Sequence, residues 1–176
     1  QEGLEKFIMN KKISLDKVDA FFFDFDGVMT NNLVYLNSEG DEFVSCSRSD
    51  GIAFDALRKL KKISYILSTE KNSVVNARAK KLLVPVIHGV DNKVNALKSI
   101  VDNDGLDLKN IVYVGNDLND FHVMSICGYA VCPSDSHNAI KEISDIVLEK
   151  AGGDGVVREL VEHVMGIDLI KILYSK

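Results

Sequence analysis

Tryptophan is absent from this chain, proline occurs only as Pro85 and Pro133, and cysteine only as Cys46, Cys127 and Cys132. Three cysteines without paired spacing exclude a disulfide framework and a cysteine-based zinc site. They fit buried or inert thiols in a reducing compartment, so a cytoplasmic location is expected. No apolar run approaches the roughly 20 residues that cross a bilayer, and residues 1–12 hold no hydrophobic signal region, so no membrane partner is expected. A basic surplus is also missing. The formal net charge of −5 argues against a nucleic-acid partner or a polybasic membrane surface. Neither proline marks a domain boundary, and there is no internal repeat or low-complexity segment. What remains is 176 residues, 46% hydrophobic and 27% charged, which suffices for one domain with a full core. Residues 18–176 are read as that domain and residues 1–17 as an N-terminal tail or linker.

Short apolar runs alternate with helical patterns along the chain. Buried strands are expected at 20–25, 63–67, 84–87, 111–114, 129–131 and 146–148. Helices are expected at 52–61, 73–82, 93–101, 120–126, 137–143 and 156–165. Residues 33–36 and 42–46 flank Asn37-Ser38-Glu39-Gly40, which reads as a protruding β-hairpin. Near-continuous apolar strands alternating with helices predict an α/β fold, a Rossmann-like, doubly wound parallel sheet covered on both faces. Such sheets bind ligands beyond the carboxyl ends of their strands.

The residues at those ends form a chemical set. Asp24 and Asp26 follow the first strand, Ser68, Thr69 and Glu70 the second, Gly89, Asp91 and Lys93 the third, and Asn116, Asp117 and Asp120 the fourth. Two carboxylates at i and i+2 in extended chain lie on one side and repel unless a cation or proton sits between them. Mg²⁺ takes one or two such oxygens and keeps several waters. Each residue also has an ordinary alternative. The aspartates suit turns, Ser68 suits a cap for the helix starting near residue 72, and Lys93 suits a solvated surface.

Taken together, Asp24-Phe25-Asp26-Gly27-Val28-Met29-Thr30, then Ser68, then Lys93, then Gly115-Asn116-Asp117-Leu118-Asn119-Asp120 resembles the four ordered motifs of the haloacid dehalogenase superfamily. The gaps between motifs are too short for a cap domain. The chain resembles the capless branch that includes 3-deoxy-octulosonate 8-phosphate phosphatases and the phosphatase-like domains of acylneuraminate cytidylyltransferases. It shares with them Arg48-Ser49-Asp50-Gly51, residues 77–82, residues 89–93 and residues 152–159. The resemblance implies a Mg²⁺-dependent phosphatase with Asp24 as nucleophile, Asp26 as acid and base, and Ser68 and Lys93 holding the phosphoryl oxygens. Metal ligands implied are Asp24, the Asp26 backbone carbonyl and a group from the fourth motif. Relatives usually carry Asp where this chain has Asn116, so Asn116 and Asp117 are both candidates.

The implied substrate is a phosphorylated 2-keto-3-deoxy sugar acid, with Thr30 and Arg48 among the residues expected to contact it. Eight-carbon enzymes usually have Thr-Gly-Arg where this chain has Ser68-Thr69-Glu70. Glu70, Arg78 and Lys81 resemble a trio found in relatives acting on nine-carbon acids. Arg78 and Lys81 are i, i+3 neighbours on a helix that Glu70 precedes. The resemblance also implies a homotetramer in which one chain's hairpin closes its neighbour's site. The competing readings are a non-catalytic assembly domain associated with a cytidylyltransferase, and a signalling receiver domain. Receivers place the acceptor aspartate on a middle strand away from an earlier acidic pair, unlike the arrangement here.

Overall fold

The structure, a computed structural model, describes residues 12–175. Along the chain come β1 (Ala20–Phe23), the hairpin strands β2 (Tyr35–Leu36) and β3 (Glu42–Phe43), α1 (Ser49–Lys59), β4 (Ile63–Leu67), α2 (Ser73–Leu82), β5 (Val86–Ile87) and α3 (Lys93–Asp104). There follow β6 (Ile111–Val114), α4 (Phe121–Ile126), β7 (Tyr129–Cys132), α5 (Asn138–Ile143), β8 (Ile146–Val147), α6 (Val156–Glu159) and α7 (Leu169–Tyr174). Six strands form one parallel sheet in the order β5-β4-β1-β6-β7-β8. Among the described residues no helix is long and apolar enough to cross a membrane.

The apolar run at β1 explains its central place. All four of its residues are buried, and their side chains alternate between faces. Phe21 and Phe23 enter the core that also takes Phe54 and Leu57 of α1, Val75 and Ala79 of α2, and Val157 and Leu160. Phe23 meets Phe54 edge to face, with ring centroids 5.2 Å apart. Ala20 and Phe22 enter the opposite core with Leu97 of α3, Val123 and Met124 of α4, and Ile140 of α5. Burial of each such phenylalanine contributes on the order of 2 kcal/mol, so a sheet exposed on either face would forfeit much of its stability.

Strand order reverses between β1 and β6. From β1 the chain builds outward through β4 and β5, and from β6 through β7 and β8. A cleft opens at such a reversal, because the connections leave in opposite directions.

Several elements depart from the sequence expectation. β1 stops at Phe23 because the Asp24 carboxylate accepts from the Phe25 N–H at 2.7 Å and turns the chain out of the sheet. The hairpin arms shrink to two residues each, extended only by an isolated bridge between Thr30 and Cys46. Leu33, Val34, Tyr35, Leu36 and Phe43 stand exposed there, and a two-stranded ribbon without a packed face holds little regular structure. The expected 156–165 helix divides into α6 and a π-helical turn, Leu160–Val164. α7 was not anticipated; Asp168 caps it by accepting from the Lys171 N–H. Ile13 is buried in the core, so part of the expected tail lies against the domain, while residues 1–11 lie outside the described residues.

Candidate active site

Asp24, Asp26, Ser68, Asn116 and Asp117 all line one cleft of about 290 Å³ at the strand-order reversal, together with Asn32, Thr69, Leu118 and Asn119. The strands bring them together. Asp24 leaves β1, Ser68 leaves β4 and Asn116 follows β6. The register holds Phe23 between Ile66 and Val114, so the three strand ends are level.

Lys93 opens α3 and reaches the cleft residue Asp24 from beneath the surface, with only 4% of its own surface exposed. Its ammonium lies 2.8 Å from Asp24 Oδ1 and 2.7 Å from Asp120 Oδ1. Asp120 is fully buried. Its Oδ1 also accepts from the Tyr113 hydroxyl at 3.0 Å, and its Oδ2 from the Asn116 N–H at 3.0 Å. Asp120 is therefore an anchor for Lys93 and for the Asn116 backbone. The place of Asp120 after a strand end does not by itself reveal this role. Its Lys93 partner is 27 positions away, so no local pattern linked them. Burial would lower the Lys93 ammonium, but Asp24 and Asp120 outweigh it and raise it. Burial first, then the Asp120 charge, pushes the Asp24 carboxyl up to about 8 against the pull of Lys93. Two carboxylates thus share one ammonium, an excess negative charge that a bound cation would offset. Asp24 Oδ1 carries the bonds from Lys93 and Phe25, while Oδ2 takes none from the described residues.

Asp26 is half-buried in the cleft lining and 3.4 Å from the Thr30 hydroxyl. Burial, followed by the Glu70 charge, raises its carboxyl above the usual range. Thr30 was expected to contact substrate; it does not reach the cleft. Its side chain is fully buried, and its oxygen accepts from the Gly27 and Asn32 N–H groups at 3.2 Å each while donating to Asp26. It braces the turn that carries Asp26.

Asn116 is buried, and its Oδ1 has no hydrogen-bond partner. Its side chain lies over Gly27, where an added Cβ would come within 1.9 Å of Nδ2 and would face a φ of +77°. Only glycine admits that approach. An orphaned amide oxygen beside two carboxylates is a hard-oxygen donor set that suits a small divalent cation. Asp117 is exposed and accepts from its neighbour's N–H on Leu118 at 2.7 Å. Among the described residues no three His, Cys, Asp or Glu side chains form a metal cage.

Ser68 is buried, and its oxygen accepts from the Glu70 N–H at 3.1 Å, leaving the hydroxyl proton for the cleft. The alternative capping role falls to Asn72, which accepts from the Val74 N–H at the start of α2. Arg48, Arg78 and Lys81 line a second cleft of about 330 Å³ with Ile52 and Asp55. Arg78 is held there by donating to the Ser47 carbonyl at 2.7 Å. Glu70 is not part of this cleft, so the expected trio divides. The Glu70 carboxylate turns back to accept from the Asn72 N–H at 2.7 Å, ahead of α2, whereas Arg78 and Lys81 lie more than a turn further along it.

Known proteins resemble this chain in sequence and fold. The model of the haloacid dehalogenase-like hydrolases matches residues 5–160. The 3-deoxy-D-manno-octulosonate 8-phosphate phosphatase of Salmonella typhi is 28% identical over 151 residues, covering 85% of this chain and 80% of that protein. N-acylneuraminate cytidylyltransferase A of Danio rerio is 28% identical over 143 residues, 79% of this chain but 33% of the transferase. A solved HAD family hydrolase from Streptomyces avermitilis superposes with a TM-score of 0.88 at 39% identity, covering 91% of this chain and 92% of its own. A 3-deoxy-D-manno-octulosonate 8-phosphate phosphatase from Moraxella catarrhalis, solved with magnesium, phosphate and KDO, superposes with a TM-score of 0.81 at 29% identity, covering 85% and 87%. With the motif residues gathered at one strand-order reversal and the family model spanning most of the sequence, the chain belongs to the haloacid dehalogenase-like hydrolases.

Proposed function

We propose that this phosphoric monoester hydrolase is a Mg²⁺-dependent phosphatase acting on a phosphorylated 2-keto-3-deoxy sugar acid, with a nine-carbon 9-phosphate favoured over an eight-carbon 8-phosphate. The observation that carries the chemistry is Asp24, with Oδ1 held by Lys93 and Phe25 and Oδ2 open to the cleft. Asp24 Oδ2 attacks phosphorus, the ester P–O bond breaks, and an aspartyl-phosphate forms. Asp26, raised in pKa and braced by Thr30, gives its proton to the leaving sugar oxygen and then takes one from the water that cleaves the intermediate. Ser68 and Lys93 hold the phosphoryl oxygens. Asp24, the Asp26 carbonyl and Asn116 would hold Mg²⁺; its orphaned Oδ1 favours Asn116 over Asp117. When bound, the ion neutralises charge between Asp24 and the phosphoryl group.

Arg48, Arg78 and Lys81 supply the positive surface that a substrate carboxylate needs, and Arg78 offers a two-pronged contact. The name of the Moraxella relative supports an eight-carbon acid; Glu70 in place of the usual Arg, with Arg78 and Lys81, supports the nine-carbon one. The exposed hairpin side chains support a homotetramer in which one chain's hairpin covers its neighbour's cleft, in place of a cap. The test is phosphate release from a panel of eight- and nine-carbon sugar-acid phosphates with Mg²⁺ present. Faster release from the nine-carbon member is expected. Release from no member would favour the alternative reading, a non-catalytic assembly domain associated with a cytidylyltransferase.

A further inference from the structure

Asp50 lies outside the cleft and is wholly buried at the start of α1. Its Oδ1 accepts from the Arg158 N–H at 3.0 Å, and the Val157 N–H also favours its ionised form. Those two groups belong to the first turn of α6, whose N-cap residue, Gly155, has no side chain to satisfy them. A carboxylate at a helix N-terminus meets both the orphan donors and the positive end of the helix dipole. Asp50 thus caps α6 from a different element, 108 positions away. Its Oδ2 has no partner, so this capping is maintained at the cost of an unpaired buried oxygen.

The loop 152–155 enters α6 directly and lies against the turn that carries Asp26. Gly153 N–H donates to the Val28 carbonyl at 3.0 Å. A Cβ on Gly152 would fall 2.2 Å from the Gly27 carbonyl oxygen and 2.9 Å from that of Thr30. A Cβ on Gly153 would fall 2.6 Å from the Asn31 N–H nitrogen. The two backbones are in contact with no side chain between them, so any drift of the loop is transmitted to the turn. The far side of the loop is held as well. Gly152 N–H donates to Asp135 at 2.9 Å, and Glu159 accepts from the Glu149 and Lys150 N–H groups at 2.8 Å each.

We propose that Asp50 is a positioning residue for phosphoryl transfer: by capping α6 from α1 it clamps the 152–155 loop against the 27–31 turn, and so fixes the buried Thr30 that braces Asp26 at the cleft. The inference rests on the reading of Asp26 as acid and base. That reading supplies a signature which lost stability alone would not produce. Protonation of the leaving oxygen matters for a sugar phosphate and matters little for an aryl phosphate, whose phenolate leaves unaided. A displaced Asp26 therefore slows the first ester more than the second.

The experiment compares Asp50→Ala, which removes the acceptor, with Asp50→Asn, which keeps one. Each is assayed on a sugar-acid phosphate and on p-nitrophenyl phosphate with Mg²⁺, and amide hydrogen exchange is followed at residues 27–31. Asp50→Ala is expected to lower kcat on the sugar-acid phosphate ~10-fold or more with KM within about twofold, and to lower kcat on the aryl ester less. Exchange at 27–31 should quicken while that of β4 does not, and Asp50→Asn should return kcat to within about threefold of wild type. Equal losses on both esters, or unchanged exchange at 27–31 in a folded Asp50→Ala protein, would overturn the proposal. Should Asp50→Ala not fold, Asp50→Ser, whose hydroxyl is too short to reach Arg158, is judged by the same two measurements. If wild type releases phosphate from neither ester, the proposed function falls, and the exchange comparison still decides whether Asp50 holds the turn.

Discussion

Lys93 and Lys81 occupy helices on opposite faces of the same sheet, and their surroundings differ in nearly every respect. Lys93 opens α3, is 4% exposed and is wedged between Asp24 and Asp120. Lys81 lies in the last turn of α2, exposed, in a cleft shared with Arg48 and Arg78. Around Lys93 every polar atom of Asp120 is spoken for, and the geometry exists before any substrate arrives. Around Lys81, Arg48 is also exposed, and Arg78 is half-buried and held by the Ser47 carbonyl. Under the proposed function, the difference would separate a group held ready for charge developing in a transition state from groups that recognise a ground-state anion. It also separates their costs, because buried charge is destabilising unless balanced.

Replacing Asp24 breaks the comparison most severely. Asp24→Asn should lower turnover ~10³-fold or more, since an amide does not form the acyl phosphate. Its effect on stability has the opposite sign. The folded-state carboxyl, near 8, lies above its unfolded value of 3.8, so its contribution is fully present below 3.8 and is lost as pH rises through 8. The neutral amide avoids that loss. In the absence of divalent cation, Asp24→Asn should lose less stability than wild type as pH rises toward 8 in denaturant titrations. An equal or larger loss would contradict the crowded-charge account.

Asp120→Ala tests the other carboxylate. It strips Tyr113 and the Asn116 N–H of their acceptor and should destabilise by ~3 kcal/mol. Weaker Mg²⁺ binding by calorimetry should accompany it, because Asn116 loses its anchor. Asp50 gives a smaller effect of known sign. Burial, opposed by the Arg158 and Val157 N–H groups, pushes its carboxyl up to about 6 from 3.8. Stability from this group is complete below 3.8 and lost as pH rises through 6, so Asp50→Asn should gain ~2 kcal/mol at pH 7.5 and flatten the profile between those values.

On the solvated side, Arg78→Ala should raise KM for a sugar-acid phosphate ~10-fold while changing stability by only ~1 kcal/mol, the bond to Ser47. A large fall in kcat instead would place Arg78 with the preorganised group. The mildest effect is expected at the hairpin. Phe43→Asp should leave the melting temperature nearly unchanged, because Phe43 is 59% exposed, and, if the proposed tetramer forms, should lower the sedimentation mass toward that of a monomer. An unchanged mass would remove the hairpin from the assembly.

Legibility followed the range of the forces involved. The strands at 63–67 and 111–114 and the helix at 73–82 match their expected limits, because continuous apolar runs and the Asn72 cap are local signals. The hairpin arms are shorter than the alternation suggested, since alternation without a second layer gives nothing to pack against. α7 carried a readable cap at Asp168 and apolar Leu169, Ile172 and Leu173 at helical spacing, and was passed over. The cleft residue Asn32 looks like an ordinary loop residue until the fold brings its loop beside the strand ends. Thr30 was misassigned because a motif position does not reveal which way its hydroxyl turns.

The sequence by itself determined the α/β order, the buried strands and the acids, hydroxyl and lysine at their carboxyl ends, because hydrophobic periodicity and strand-end chemistry are written over a few residues. Tertiary structure alone decided that Lys93 pairs with both Asp24 and Asp120, that Thr30 faces inward, that Glu70 parts from Arg78 and Lys81, and that Asp50 caps a helix 108 positions away. Those outcomes depend on which oxygens burial leaves without water. A buried group takes whichever partner the folded chain presents, however distant that partner is in sequence.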